Sequence, residues 1–294
     1  MHAIPRSLIL TALLPMAAFG QAAKKPSSKV STPPPTKPPL VAADIQVLPE
    51  GTDHLDLFLL IGQSNMKGRG FMPEEPKNDP REVMMHMKTD GWYLARHPLH
   101  LTGDPETFKG HDNAGVGAGL AFAEDVAAKD PTVRIGLLPC AVGGSAIRLW
   151  EKEGKLYVEA IRRAKLGLEQ GPKGKTRIRG ALWLQGEADA KPGSIETYPA
   201  ALSDLVDRLR ADLGEPELPF IACTIGEMKP DSETSLKSKM NEILLDLPNQ
   251  RPNTACVDAR DLKGHIGDSV HFDTASQEEI GRRFAEAYFK LTAE

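Results

Sequence analysis

Short apolar runs alternate with stretches of helical period along most of the chain. Each run has seven to ten residues and is bounded by turn residues, a pattern typical of strands in the interior of a sheet. The five predicted strands are HLDLFLLIG (54–62), VRIGLLPCAV (133–142), IRGALWLQG (178–186), LPFIACTIG (218–226) and NTACVDA (253–259).

Between and after these runs, apolar residues recur every three or four positions, as on one face of a helix. The predicted helices cover 119–129, 155–170, 198–214, 235–247 and 276–291. Strands that alternate with helices predict an α/β protein with a mostly parallel sheet and helices on both faces. Ligands of such sheets bind beyond the carboxyl ends of the strands, so chemistry is expected just after each run.

Polar and glycine residues follow four of the five predicted strands. They are Gln63, Ser64 and Asn65 after the first, Gly143 and Gly144 after the second, Gln185 and Glu187 after the third, and Asp268 and His271 after the fifth. If the strands are parallel, all of these residues lie along one rim of the sheet.

This set contains what acyl transfer requires. Ser64 is a weak nucleophile unless a base takes its proton, and His271 can be that base. Asp268 lies three residues earlier and can orient the imidazole through its other ring nitrogen. Backbone N–H groups of the glycine turn and the amide of Gln185 can stabilise an oxyanion.

The motifs GQSNM, GGSAIRLW, LQGEADA and DSVHFD occur in this order over most of residues 55 to 290, and GVGAGLAFA precedes the second strand. Together they resemble the blocks of the SGNH-hydrolase carbohydrate esterases, which include acetylxylan esterases and sialate O-acetylesterases. The resemblance implies a flavodoxin-like three-layer α/β/α sandwich with a five-stranded parallel sheet. In two places the chain departs from the family pattern: Leu184 stands where histidine is common, with an expected effect on substrate contacts, and Ala118 replaces a frequent proline.

The resemblance also assigns roles to residues. It implies Ser64 as nucleophile, His271 as base and Asp268 as its orienting acid, with an oxyanion hole built from Ser64, Gly144 and Gln185. Trp150 is the expected sugar-facing aromatic residue. The remaining residues expected to contact substrate or to support the catalytic groups are Gln63, Asn65, Gly143 and Glu187.

Other histidines are candidates for the base or for metal binding. His265 is a rival base, but no acid stands three residues before it. His97 and His100 lie close together in sequence, yet no carboxylate or cysteine completes the spacing of a metal site. We therefore expect no metal and no cofactor. A formal charge of −4 with no long run of like charge gives no sign of nucleic-acid binding.

The N-terminus differs in character from the rest. Residues 1–22 combine an early arginine, an apolar run and small residues, as in a secretory signal peptide. Residues 23–43, rich in Pro, Ser, Thr and Lys, predict an extended linker. The esterase domain is expected over 44–294, without a membrane span in the mature protein. Three cysteines leave at least one thiol unpaired and allow one disulfide.

The interpretation reached from sequence is a secreted or periplasmic, metal-independent serine esterase that removes acetyl groups from a carbohydrate. A carbohydrate-binding protein that keeps the fold without turnover is one alternative, and a lipid or aryl esterase is another. The long stretch 67–113 is either a substrate wall or an insertion without a role in the site.

Overall fold

The computed structural model describes residues 1, 39–74, 78–229 and 235–293. Seven strands form one sheet: β1 (His54–Gly62), β2 (Glu82–Met85), β3 (Trp92–Leu94), β4 (Val133–Pro139), β5 (Thr176–Leu184), β6 (Phe220–Cys223) and β7 (Thr254–Val257). Their order across the sheet is β3-β2-β4-β1-β5-β6-β7. β3 pairs antiparallel to β2, and the other neighbouring strands are parallel.

The five predicted strands correspond to β1, β4, β5, β6 and β7. Taken in chain order, they lie in the arrangement 2-1-3-4-5, which is the order of flavodoxin-like folds. The fold class is therefore confirmed, but the expected count of five strands is too low. The two further strands, β2 and β3, come from the 67–113 stretch and extend the sheet beyond β4.

Helices cover both faces of this sheet. They are α1 (Ser64–Lys67), α2 (Gly119–Lys129), α3 (Lys155–Gln170), α4 (Tyr198–Leu213), α5 (Leu236–Gln250) and α6 (Thr274–Thr292), with a short 3-10 turn at Ile147–Trp150. Alternate residues of β1 belong to two apolar clusters: Leu57 and Leu59 with α3, α4 and α5, Phe58 and Leu60 with α2 and α6. The three-layer α/β/α arrangement follows from this alternation.

The N-terminal predictions concern mostly residues outside the described ranges, namely 1–22 as a signal peptide and all but the last residues of the 23–43 linker. Those last residues belong to the fold, because Leu94 donates a backbone hydrogen bond to Val41 (2.8 Å) and Ala43 donates one to Trp92 (2.9 Å). Residues 41–43, at the end of the predicted linker, thus pair with the sheet. Among the described residues, no helix has both the length and the apolar character needed to cross a bilayer.

The three cysteines are all free thiols in the structure. Cys140 and Cys223 are buried and Cys256 is partly buried. The single disulfide that the three cysteines would allow is therefore not formed.

Candidate active site

The turn between β1 and α1 places Ser64 at the tip of a central strand. Gly62 has φ = 132°, and a Cβ at this position would collide with the carbonyl oxygen of Leu184, so the turn needs glycine. Gln63 then bridges to the end of β5: its N–H donates to the Leu184 carbonyl (3.0 Å), and its Oε1 accepts from the Ala188 N–H (3.2 Å). These bonds hold the serine that begins α1.

Ser64, His271 and Asp268 are brought together in the structure. The Oγ of Ser64 lies 2.9 Å from His271 Nε2, and His271 Nδ1 lies 2.5 Å from Asp268 Oδ2. Ser64 is 6% exposed. The three side chains form one hydrogen-bonded chain, in which proton transfer from the hydroxyl to the imidazole needs no rearrangement.

Asp268 is held in its ionised form by its surroundings. Partial burial raises the pKa of its carboxyl group, but the hydrogen bonds to His271 and to two backbone N–H groups outweigh this, and the net pKa lies below its usual range. The two backbone donors are Val270 (3.0 Å) and His271 itself (2.9 Å), both to Oδ1. The carboxylate is therefore available to orient the imidazole and to stabilise its charged form.

The glycine turn after β4 lies against the serine. A Cβ on Gly143 would be 3.8 Å from the Cβ of Ser64. Gly144 is exposed, with φ = 70°. Neither the N–H of Gly144 nor that of Ser64 donates to another residue in the described part of the chain. Two free backbone donors are thus available beside the nucleophile for a developing oxyanion.

The expected role of Gln185 in the oxyanion hole is contradicted by its contacts. The side chain is fully buried, and its Nε2 donates to the Ser145 carbonyl (3.1 Å) and to Asp189 Oδ2 (2.6 Å). Its Oε1 accepts from the Tyr198 hydroxyl (2.8 Å). Both amide hydrogens are therefore used inside the protein.

Gln185 instead supports the glycine turn from below. Asp189 Oδ2 also accepts the backbone N–H of Ile147 (2.7 Å), and Ser145 Oγ donates to the Gly62 carbonyl (3.1 Å). Ser145 and Asp189 lie within the GGSAIRLW and LQGEADA motifs, so their presence near the site could have been inferred from sequence. Their bonding partners could not.

Asn65 and Glu187, both expected near the site, contact each other. Asn65 Nδ2 lies 2.5 Å from Glu187 Oε1, and the second oxygen of Glu187 is buried without a hydrogen-bond partner among the described residues. Burial raises the pKa of Glu187 above its ordinary value. The pair is adjacent to Ser64 in the chain, because Asn65 directly follows it.

Two further expectations are wrong. Trp150 is 1% exposed and packs edge-to-face on Trp183, with ring centroids 5.4 Å apart, so it cannot face a sugar. Leu184 is fully buried in the apolar cluster beside α2 and α6, so it presents no surface to a substrate. The structure also disfavours His265 as base, because its Nδ1 accepts the N–H groups of Gly267 (3.0 Å) and Ser269 (3.3 Å) and forms no hydrogen bond with Ser64.

The 67–113 stretch has a structural role as well as a place at the rim. The two ends of the stretch lie side by side. Gly70 and Val116 exchange two backbone hydrogen bonds (3.0 and 2.9 Å), and Lys67 forms an ion pair with Asp112 (2.5 Å). Burial lowers the pKa of His100, within this stretch, to about 3. No cluster of three or more His, Cys, Asp or Glu side chains suited to a metal ion occurs among the described residues.

Comparison with known proteins agrees with this architecture. A family model described as carbohydrate esterase, sialic acid-specific acetylesterase matches residues 54–290. A probable carbohydrate esterase of Arabidopsis thaliana is 34% identical over 249 residues, which cover 79% of this chain and 89% of the relative.

Solved structures show the same fold. An Arabidopsis thaliana protein superimposes with a TM-score of 0.67 at 32% identity, covering 81% of this chain and 99% of its own. NanS also has a TM-score of 0.67, at 19% identity, with 81% and 98% covered. A carbohydrate acetylesterase from Xanthomonas citri has a TM-score of 0.55 at 20% identity, with 81% and 56% covered.

The family match spans most of the chain, and the Arabidopsis relative is similar over nearly its whole length. The protein is therefore a carboxylic ester hydrolase. It belongs to the carbohydrate esterase family described as sialic acid-specific acetylesterases.

Proposed function

We propose that the protein is an exported serine esterase that removes O-acetyl groups from carbohydrates with Ser64, His271 and Asp268. The observation that carries the proposal is the continuous hydrogen-bonded chain from Ser64 Oγ through the imidazole to the Asp268 carboxylate. The family supports acetylated carbohydrate as the substrate class.

In the first half of the reaction, Ser64 Oγ bonds to the acetyl carbonyl carbon while its proton passes to His271 Nε2. The carbonyl π electrons move to oxygen, where the N–H groups of Ser64 and Gly144 stabilise the negative charge. Collapse breaks the bond to the sugar oxygen, which takes the proton from His271. The acetyl group remains on Ser64.

In the second half, water attacks the acetyl-serine and gives its proton to His271. The second tetrahedral intermediate uses the same two backbone donors. When it collapses, Ser64 recovers its proton from His271 and acetate leaves. Asp268 keeps the imidazole oriented and stabilises its positive charge in both halves.

In this proposal the aromatic residue that contacts the sugar is Phe71, because Trp150 is buried. Phe71 is 68% exposed, and its carbonyl accepts the Thr274 hydroxyl (2.9 Å). Thr274 begins α6, three residues after His271, so the ring lies on a loop tied to the catalytic rim. An exposed aromatic ring at such a position is suited to packing against the apolar face of a pyranose.

A serine-directed phosphonate, followed by peptide mapping, tests the nucleophile. We expect Ser64 to carry the label and Ser64→Ala to abolish both labelling and acetate release. Ser145 is the internal control, because its hydroxyl is buried and bonded to the Gly62 carbonyl. A label on Ser145, or acetate release by Ser64→Ala, would refute the assignment.

Acetate release from acetylated xylan, pectin and sialic acids tests the substrate class. Comparing kcat/KM for acetate and octanoate esters of one alcohol tests the acyl group, with acetate expected to be preferred. A clear preference for octanoate would favour a lipid esterase. Export, which rests on the pattern of residues 1–22, is tested by N-terminal sequencing of the secreted chain.

A further inference from the structure

Asn65, the residue after Ser64, joins the nucleophile to the loop of the catalytic histidine. Its side chain is fully buried. Its Oδ1 accepts the N–H of Phe272 (3.1 Å), and its Nδ2 donates to the carbonyl of Val270 (3.1 Å). These two residues flank His271 on either side, so one amide side chain grips the backbone around the base.

The orientation of this amide is determined by its partners. The Phe272 N–H needs an acceptor, while Val270 O and Glu187 Oε1 both need donors, so exchanging Oδ1 and Nδ2 would lose all three bonds. The backbone of Asn65 is also held, because its carbonyl accepts from Gln277 Nε2 in α6 (2.9 Å). Both the side chain and the backbone carbonyl of Asn65 are therefore held by hydrogen bonds.

The hydrogen bonds within the loop 268–272 have a different role. Asp268 accepts from Val270, from the His271 backbone and from the imidazole, so it fixes the ring relative to its own loop. None of these bonds reaches Ser64. Besides the Ser64–His271 bond itself, the side chain of Asn65 makes the direct hydrogen bonds between α1 and residues 270–272.

We propose that Asn65 is the positioning residue that sets the distance between Ser64 Oγ and His271 Nε2, with Glu187 fixing its amide. The inference rests on the proposed function, in which that distance decides proton transfer. A misplacement of about 1 Å at such a pair costs about 100-fold in rate. Loss of the Asn65 side-chain hydrogen bonds should therefore lower kcat and leave substrate binding almost unchanged.

Asn241 provides a matched control for the loss of buried hydrogen bonds. It too is fully buried; its Oδ1 accepts the Ile225 N–H (2.8 Å), and its Nδ2 donates to Ile225 O (3.1 Å) and Glu227 Oε1 (2.8 Å). This set of partners is the same in kind as that of Asn65. Asn241, however, bonds to none of the catalytic residues.

The experiment compares Asn65→Ala with Asn241→Ala in the full chain, with phosphonate titration counting active sites. We expect both to lower Tm by similar amounts. Per titrated site, kcat should fall about 100-fold in Asn65→Ala with KM within twofold, and stay within threefold of wild type in Asn241→Ala. Equal kcat losses in the two variants, or a loss explained by fewer titratable sites, would overturn the inference.

The pH dependence separates positioning from a change in the base. In Asn65→Ala the Asp268–His271 pair remains, so the acid limb of kcat/KM should keep its midpoint while the plateau falls. A shifted midpoint in Asn65→Ala would show that the residue acts on His271 chemistry instead of on distance.

Asn65→Asp covers the case in which the alanine variant does not fold. It keeps the size of the side chain and the acceptor for Phe272 but loses the donor to Val270 and to Glu187 and places a carboxyl group against that of Glu187, so kcat should fall well below that of wild type. A wild-type kcat in Asn65→Asp would overturn the inference. Activity in Ser64→Ala would instead refute the proposed function, so the two failures are distinguishable.

Discussion

Replacing Gln185 by alanine tests whether this residue supports the glycine turn or donates to the oxyanion. The substitution removes bonds to the Ser145 carbonyl, the Tyr198 hydroxyl and the Asp189 carboxylate. Neutral buried bonds contribute about 1 kcal/mol each and a bond to a charged group about 2 kcal/mol, which adds up to about 4 kcal/mol. For a domain of this size, such a loss lowers Tm by about 8 to 16 °C.

Calorimetric melts and kcat per titrated site measure the two effects separately. Tyr198→Phe is the graded control, since it removes the hydroxyl that donates to Gln185 Oε1 (2.8 Å) and accepts from Trp183 Nε1 (3.1 Å). The loss of two neutral bonds, about 1 kcal/mol each, should lower Tm by about 4 to 8 °C with kcat near wild type. If Gln185→Ala melts within about 2 °C of wild type while kcat falls by about 100- to 1000-fold, Gln185 is an oxyanion donor and its assignment as a support of the glycine turn is refuted.

Three further predictions concern histidine roles, pH and substrate binding. His271→Ala should remove most turnover, whereas His265→Ala should cost less than threefold in kcat; steady-state assays decide, and comparable losses would contradict the assignment. Because the folded-state pKa of His100 is about 3, the unfolded state binds an extra proton below about pH 6.5, and this residue makes stability fall by about 1.4 kcal/mol per pH unit between about 6 and 4. Urea midpoints should show a shallower decline in His100→Gln, and an unchanged slope would refute this. Phe71→Ala should raise KM for acetylated oligosaccharides about fivefold and leave a small aryl acetate unaffected; equal effects on both substrates would exclude sugar packing.

Much of the fold follows from local pattern. The bounds of β1, α2 and α3 agree with those predicted, because each combines a clear period with turn residues at its ends. Elements whose ends depend on tertiary contacts agree less well. The predicted helix 235–247 continues as α5 through Pro248 to Gln250.

Strands β2 and β3 were missed because they are too short to show a period. They have four and three residues, and their place in the sheet depends on the pairing of β2 with β4 and of β3 with β2. Residues 41–43, in the predicted linker, also depend on tertiary contacts, because their backbone hydrogen bonds are with β3.

The position of a residue after a parallel strand predicts that it lies near the site, but not the direction of its side chain. The carboxyl ends of parallel strands meet at one rim, and this brings Ser64 and Gln185 to the same region. Whether a side chain there faces solvent or the interior depends on the next turn of backbone. Gly62, with its positive φ, leads Ser64 to the rim, whereas Gln185 turns inward to Tyr198 and Asp189.

Motif membership therefore shows that a residue is near the chemistry, and hydrogen-bond partners decide what it does there. Gln185 and Asn65 have the same functional group and lie in neighbouring motifs, yet one holds the glycine turn and the other grips the backbone around His271. An amide can donate and accept at once, which suits it to join two backbone segments. In the proposed mechanism, the amide side chains hold the glycine turn and the backbone around His271, and the groups that face the substrate are a hydroxyl, an imidazole and two backbone N–H groups.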